Sequence, residues 1–133
     1  MKQIDERVLT PLNDPAGKWI LSTCDNEPHV APYFFKAVAE DGRLLIANVF
    51  MENAVNNVAK NGKAAVLVLA AEGMEAYQIK GDAVHLTEGP ELELMAEKVN
   101  QFSQGRMAAR GVLAITPLRV TVMSPGPENN KEL

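Results

Sequence analysis

The fold of this chain is decided between residues 44 and 69, which read LLIANVFMENAVNNVAKNGKAAVLVL. The pattern predicts a buried strand, a two-turn helix that begins among three asparagines, a stop at Asn61 and Gly62, and a second buried strand. The first amides of a helix lack backbone partners and carry partial positive charge, so a strand ending there can present an anionic ligand group to them. The stretch therefore favours a nucleotide-sized ligand.

Composition limits the classes of function that remain. With 133 residues, 47% of them hydrophobic, the chain is predicted to form one domain. Its net charge of -4 gives no overall field to attract a polyphosphate backbone, so we expect no nucleic-acid partner. The longest apolar run, residues 64–71, is too short for a membrane span, and the N-terminus has no apolar signal region. We therefore expect no membrane association and a cytoplasmic location, which the single cysteine, Cys24, also fits.

Turn and periodicity signals divide the chain into strands and helices. Strands are predicted over residues 18–24, 29–38, 43–49, 64–71, 74–86 and 111–123, and flanking helices over residues 3–9 and 90–102. Six strands joined mostly by short turns predict an α+β or mainly β chain, built as a small antiparallel barrel with helices outside. The domain is predicted to span residues 1–123. The tail, residues 124–133, is rich in Pro, Gly and charge and is predicted to be disordered.

Three blocks of the sequence carry a family resemblance. They are PHVAPYFF (residues 28–35), DGRLLIANVFMENAVNNVAKNGKAAVLVL (residues 41–69) and AYQIKGDAVHLTEGPELELM (residues 76–95). In order and spacing they resemble the FMN-binding split-barrel family, which includes the pyridoxamine 5′-phosphate oxidases, the flavin reductases and very small bacterial FMN-binding proteins. The chain is most similar to the small proteins. The resemblance implies a mainly β, six-stranded antiparallel split β-barrel with short flanking helices, a homodimer, and one FMN per subunit in a groove at the dimer interface.

The resemblance also implies which residues contact the flavin. The ring would lie along two strands, and the phosphate at the start of the short helix. The cofactor-binding residues implied are Pro32, Tyr33, Phe34, Ala47, Asn48 and Val49 for the ring, and Met51, Asn53, Ala54 and Asn57 for the phosphate.

Two positions of the phosphate site depart from the family pattern. The family usually has Lys and then Ser or Thr where this chain has Asn53 and Ala54, while Asn57 is retained. Losing one charge-assisted contact removes about 1.5 to 3 kcal/mol of binding free energy. Weak FMN binding, a different flavin and an empty groove are all consistent with this loss. A basic residue from elsewhere is an alternative source of charge, and the candidates are Arg43, Lys60, Lys63, Lys80, Arg106 and Arg110.

Two functions of different classes follow. The first is an FMN-dependent oxidoreductase or electron carrier, in which the flavin performs the redox chemistry and no catalytic side chain is required. The second is a non-catalytic dimeric split-barrel binding module with weak or no flavin binding. A deazaflavin or haem, as in some relatives, is a further alternative that no residue selects.

Other chemistries find no support in the sequence. A true pyridoxamine 5′-phosphate oxidase is not expected, because the last strand runs ITPLRVTVM into a Pro-Gly tail instead of the Trp and Arg substrate contacts of that enzyme. The two histidines, His29 and His85, lie on different predicted strands without metal-ligand spacing, so no metal site is expected.

Overall fold

The computed structural model describes residues 1–133 as one antiparallel sheet with three helices. The strands follow the order β2-β1-β5-β6-β7-β4-β3 across the sheet. In chain order the elements are α1 (Glu6–Asn13), β1 (Lys18–Asp25), β2 (Glu27–Tyr33), β3 (Lys36–Val38), β4 (Leu44–Asn48), α2 (Asn53–Asn61), β5 (Lys63–Leu69), β6 (Ala76–Leu86), α3 (Pro90–Ser103) and β7 (Gly111–Val122). No helix combines the length and the apolar character that crossing a membrane requires.

The two edge strands are neighbours in the chain, which forces the sheet to curl. β2 ends at Tyr33 and β3 begins at Lys36, so three extended residues hold these ends at most about 11 Å apart. In a flat sheet, six strand spacings of about 4.8 Å would separate the same edges by about 29 Å. The sheet therefore closes on itself into a barrel that is split between β2 and β3.

The predicted fold class, a mainly β antiparallel split barrel with short flanking helices, is confirmed, but the sheet has seven strands instead of six. The strand predicted over residues 29–38 is divided at Phe34 and Phe35. The ladder with β1 ends at Tyr33, and the ladder with β4 begins at Lys36. The apolar pattern continues across this point because both residues line a groove, so periodicity alone gives no sign of the break.

Strand β4 is buried on both faces and separates two hydrophobic cores. Leu44 and Ile46 belong to the core inside the barrel, whereas Leu45 and Ala47 pack in a second core beneath α3. Alternate residues of a strand point to opposite faces, so a continuous apolar run needs cover on both sides. The barrel covers one face of β4 and α3 covers the other.

The short helix α2 ends where the sequence predicts. Gly62 adopts a left-handed φ of 66°, and its backbone N–H donates to the carbonyl of Val58. By contrast, α1 begins later than predicted, because Asp5 provides the N-cap by accepting a hydrogen bond from the N–H of Arg7 at 2.9 Å. It also continues to Asn13, beyond the predicted end at residue 9, with Pro11 inside the helix.

The C-terminal tail, which the sequence predicts to be disordered, folds back along β7. Residues 112–115 of β7 pair with both β4 and β6, but the second half of the strand pairs only with β6 and leaves one edge open. The tail occupies that edge, where the N–H of Val122 donates to the carbonyl of Lys131 at 2.9 Å, and Glu128 forms an ion pair with Arg7. Composition alone did not reveal this open edge.

Candidate functional site

A groove of about 360 Å³ opens where the barrel is split. Its walls come from three parts of the fold: the crossing from β2 to β3, the end of β4, and the end of α3 with the loop that follows. The lining residues are Pro32, Tyr33, Phe34, Phe35, Ala47, Val49, Phe50, Phe102 and Met107. Small-molecule sites have this size and this largely apolar lining.

Aromatic side chains stand exposed around the groove. Phe34, Phe50 and Phe102 are 75%, 81% and 74% exposed. The ring of Phe35 meets that of Phe102 edge to face, with centroids 5.3 Å apart. A cluster of exposed aromatic rings of this kind marks a surface that a ligand or another protein covers. Burial raises the pKa of Tyr33 above its ordinary value, so its hydroxyl is the neutral polar group of the lining.

Asn48, the last residue of β4, positions two segments beside the groove: the turn after β4 and the end of the loop after α3. Its side chain is buried, and its Oδ1 accepts a hydrogen bond from the N–H of Met51 at 3.0 Å. Its Nδ2 lies 3.0 Å from Nε2 of His85, and its backbone carbonyl accepts from the N–H of Arg110 at 2.7 Å. One residue thus fixes the turn that carries Val49 and also the end of the loop after α3.

His85 is neutral in this arrangement. Because Oδ1 of Asn48 is bound by Met51, the amide group of Asn48 donates to Nε2 of His85, which must therefore be unprotonated. Partial burial also favours the neutral ring, because it lowers the pKa of His85 below its ordinary value. Gly111 leaves room for the ring, since a Cβ there would lie 2.8 Å from Cε1 of His85.

We expect acid to weaken the protein through His85. The ordinary pKa of this group is 6.5 and its folded pKa is lower, so the unfolded state takes up the proton first. Stability is therefore present above pH 6.5 and is lost as the pH falls through the folded pKa. Urea unfolding between about pH 8 and about pH 5 measures the loss. His85→Gln keeps an acceptor without a titrating ring and should reduce this loss; parallel losses in both proteins would exclude His85 as the source.

The start of α2 presents backbone amides but no cation. The amides of residues 53–55 donate to no protein acceptor, and the N-cap Glu52 makes no capping hydrogen bond with its side chain. Asn53 is exposed, whereas Met51 and Ala54 are buried and offer a ligand only their backbone. The side chain of Asn57 donates to Oγ1 of Thr23 at 3.0 Å and so ties α2 to β1.

The structure divides the ten residues predicted for the site into three sets. Pro32, Tyr33, Phe34, Ala47 and Val49 line the groove together. Asn48 lies behind them, and the remaining four lie in or just before α2. Sequence reasoning did not place four lining residues in the site: Phe35, Phe50, Phe102 and Met107. The first two adjoin predicted site residues, but nothing local connects the last two to the groove.

The curled antiparallel sheet and the groove at its open side define a split-barrel protein. The sequence profile described as pyridoxamine 5′-phosphate oxidase matches residues 16–124. The uncharacterized protein MJ0282 of Methanocaldococcus jannaschii is 31% identical over 93 residues, which are 70% of this chain and 61% of that protein. This chain thus spans less than two thirds of the length of that relative. The chain belongs to the pyridoxamine 5′-phosphate oxidase family, as the resemblance implied.

Two crystal structures show the same fold at low sequence identity. Tagged HupZ of Group A Streptococcus is 21% identical with a TM-score of 0.77, and the match covers 93% of this chain and 97% of that chain. An FMN-binding protein from Syntrophomonas wolfei subsp. wolfei is 16% identical with a TM-score of 0.74, covering 92% and 90%. These matches support the split barrel.

Proposed function

We propose that this protein binds FMN in the groove, works as a homodimer, and serves as an oxidoreductase or electron carrier. The observation that carries the proposal is the continuity of the site: the apolar groove at the end of β4 leads within a few residues to the free amides at the start of α2. A flat apolar ring and a dianionic phosphate need these two environments side by side. The Syntrophomonas neighbour described as FMN-binding adds support.

The residues present suit both ends of the flavin. Ala47 and Val49 offer an apolar surface to the ring, and Tyr33 offers a neutral hydroxyl. β2 is an edge strand, so the backbone of Pro32 and its neighbours keeps polar groups free for the hydrogen-bonding edge of the ring. The phosphate would meet the amides that begin at Asn53.

The protein's own part in the reaction is binding, orientation and exclusion of water. FMN, when bound, supplies the redox chemistry. The groove contributes an apolar environment and the Tyr33 hydroxyl, and the proposal requires no side chain to act as acid or base. The oxidation of pyridoxamine 5′-phosphate is not proposed, because the chain's one tryptophan, Trp19, is fully buried in the barrel core and cannot contact a substrate.

The homodimer rests on the exposed rings beside the groove. Burying an exposed phenylalanine side chain stabilises a protein by about 1.5 to 3 kcal/mol. The isolated subunit does not gain this free energy from Phe34, Phe50 and Phe102, which are exposed to water. A second subunit packed over the mouth of the groove would bury them and enclose the flavin. Sedimentation of the protein at roughly tens of micromolar tests this, because a stable dimer should form at that concentration. If only monomer were seen, a flavin site shared between two subunits would be contradicted.

A second candidate is a dimeric binding module that has lost tight flavin binding. The observation that favours it is the charge at the start of α2, where Glu52 places an acidic side chain and Asn53 provides no compensating cation. A like charge at a phosphate site weakens binding. In this case the groove would hold a neutral apolar ligand.

One titration separates the two candidates. The visible absorption spectrum of the purified protein is recorded first, and flavin-free protein is then titrated with FMN and followed by quenching of flavin fluorescence. A yellow protein, or a dissociation constant in the micromolar range or tighter, supports the flavoprotein. A colourless protein that ignores FMN and FAD at roughly 100 μM would instead support the module.

We expect Asn53→Lys to tighten FMN binding. The substitution places an ammonium group beside the free amides of α2, where a charge-assisted contact to phosphate raises affinity about tenfold to a hundredfold. Asn53→Gln, which adds length without charge, is the matched control. Unchanged or weaker FMN binding by the lysine variant would place the phosphate away from this helix.

A further inference from the structure

Six basic residues were candidates to replace the positive charge that the family's lysine supplies at the position of Asn53. The structure shows which of them are already paired with acidic side chains. Arg43 pairs with Asp41 and Glu91, Lys60 with Asp25, and Lys63 with Asp82. These cations already have anionic partners. Lys80 has no such partner, but it lines a different pocket, on the outer face of β5 and β6, together with Lys63 and Arg119.

Two arginines remain, and both lie on the loop between α3 and β7. Arg106 and Arg110 are exposed, and their side chains form neither an ion pair nor a hydrogen bond within the chain. Met107, between them in sequence, lines the groove, and its N–H donates to Oγ of Ser103 at 3.0 Å. The loop is therefore held against the groove with two free guanidinium groups.

Asn48 connects this loop to the start of α2. Its carbonyl accepts the N–H of Arg110 at 2.7 Å, while its Oδ1 accepts the N–H of Met51 at 3.0 Å. The backbone of Arg110 and that of Met51, two positions before α2, are thus both hydrogen-bonded to one buried residue, Arg110 to its carbonyl and Met51 to its side chain. An arginine side chain extends several ångströms beyond its backbone, which is enough to reach a group placed between these two points.

We infer that Arg110, assisted by Arg106, supplies the positive charge for the phosphate of the bound ligand, in place of a lysine at the start of α2. This inference rests on the proposed function, because it concerns the same groove. A guanidinium can donate two parallel hydrogen bonds to phosphate oxygens, while the amides of residues 53–55 contribute further donors. It also offsets the negative charge of Glu52. The site would then select the phosphorylated flavin over riboflavin through a loop distant in sequence.

The test compares FMN with riboflavin, which lacks the phosphate. Both ligands are titrated into wild-type protein, Arg106→Gln, Arg110→Gln and the double variant, with fluorescence quenching as the readout. The expected result is a loss of FMN affinity of about tenfold for Arg110→Gln and up to about a hundredfold for the double variant, from lost charge-assisted contacts. Riboflavin affinity should change less than about threefold, because riboflavin has no group to pair with an arginine.

Lys80→Gln is the matched control, since it removes the same charge outside the groove. Thermal unfolding verifies that each variant folds, and Arg110→Lys should restore part of the FMN preference. An equal loss for FMN and riboflavin, or an equal loss of FMN affinity in Lys80→Gln, would overturn the inference and leave the proposed function standing. Wild-type protein that binds neither flavin would overturn both.

Discussion

A Gly81→Ala variant is expected to lose about 3 kcal/mol or more of its free energy of unfolding, at the upper end of the cost of overpacking. Gly81 lies where the register between β6 and β7 shifts, in the longest ladder of the sheet. A Cβ at this position would overlap the carbonyl oxygen of Thr116 and lie 2.8 Å from its carbonyl carbon. The obstructing atoms are backbone atoms of a paired strand, so no side chain can rotate away. Urea unfolding measures the effect.

Gly73→Ala is the control that separates steric overlap from backbone strain. Gly73 has a φ of +75°, but nothing lies within 4 Å of a Cβ built there. Its substitution should cost only the left-handed penalty of about 1 to 2 kcal/mol. If Gly81→Ala were no more destabilising than Gly73→Ala, the claim that β7 lies too close to Gly81 to admit a Cβ would be contradicted.

An Asn48→Leu variant should lose about 2 to 4 kcal/mol of stability, because the buried N–H of Met51 and the partly buried Nε2 of His85 would each lose a hydrogen bond. The leucine keeps the approximate volume of the side chain, so the loss reflects polar groups left without partners. The turn that carries Val49 and Phe50 would loosen, and the affinity for FMN should fall with stability. Urea unfolding and flavin titration on the same preparations measure both effects.

Asn48→Asp is the informative control for that experiment. Its carboxylate keeps the acceptor for Met51 and favours a protonated His85, so the pKa of His85 should rise above its unfolded value. The stability from this pair is then fully present below the unfolded pKa and is lost as the pH rises through the folded pKa. The pH dependence is therefore opposite in sign to that of the wild-type protein. Unchanged pH dependence would exclude the contact between residues 48 and 85.

Local sequence was sufficient for most of the elements. The buried strand, the short helix and the stop at Gly62 follow from apolar spacing and from one residue that tolerates a left-handed backbone. The division of residues 29–38 into β2 and β3 could not be predicted, because it depends on two sheet edges that meet only after the sheet has curled. The ordered tail is a similar case, since its partner is an edge of β7 that exists only in the finished sheet.

The candidate site divides in the same way. Five of the lining residues could be predicted from the sequence, because they lie in two short segments that resemble the family pattern. These residues are Pro32, Tyr33, Phe34, Ala47 and Val49, and they line the groove together. Phe102 and Met107 come from α3 and its loop, more than fifty residues further along. Their helical or loop spacing carries no information about which strand they approach.

The sequence by itself determined that this chain forms an antiparallel barrel with a short helix after β4, because apolar periodicity and turn residues act over a few neighbouring positions. Only the tertiary structure decided which charges are free near the groove. Arg43, Lys60 and Lys63 find acidic partners across the fold, whereas Arg106 and Arg110 do not. Ion pairing depends on distances between residues far apart in the chain, and those distances are set when the sheet closes.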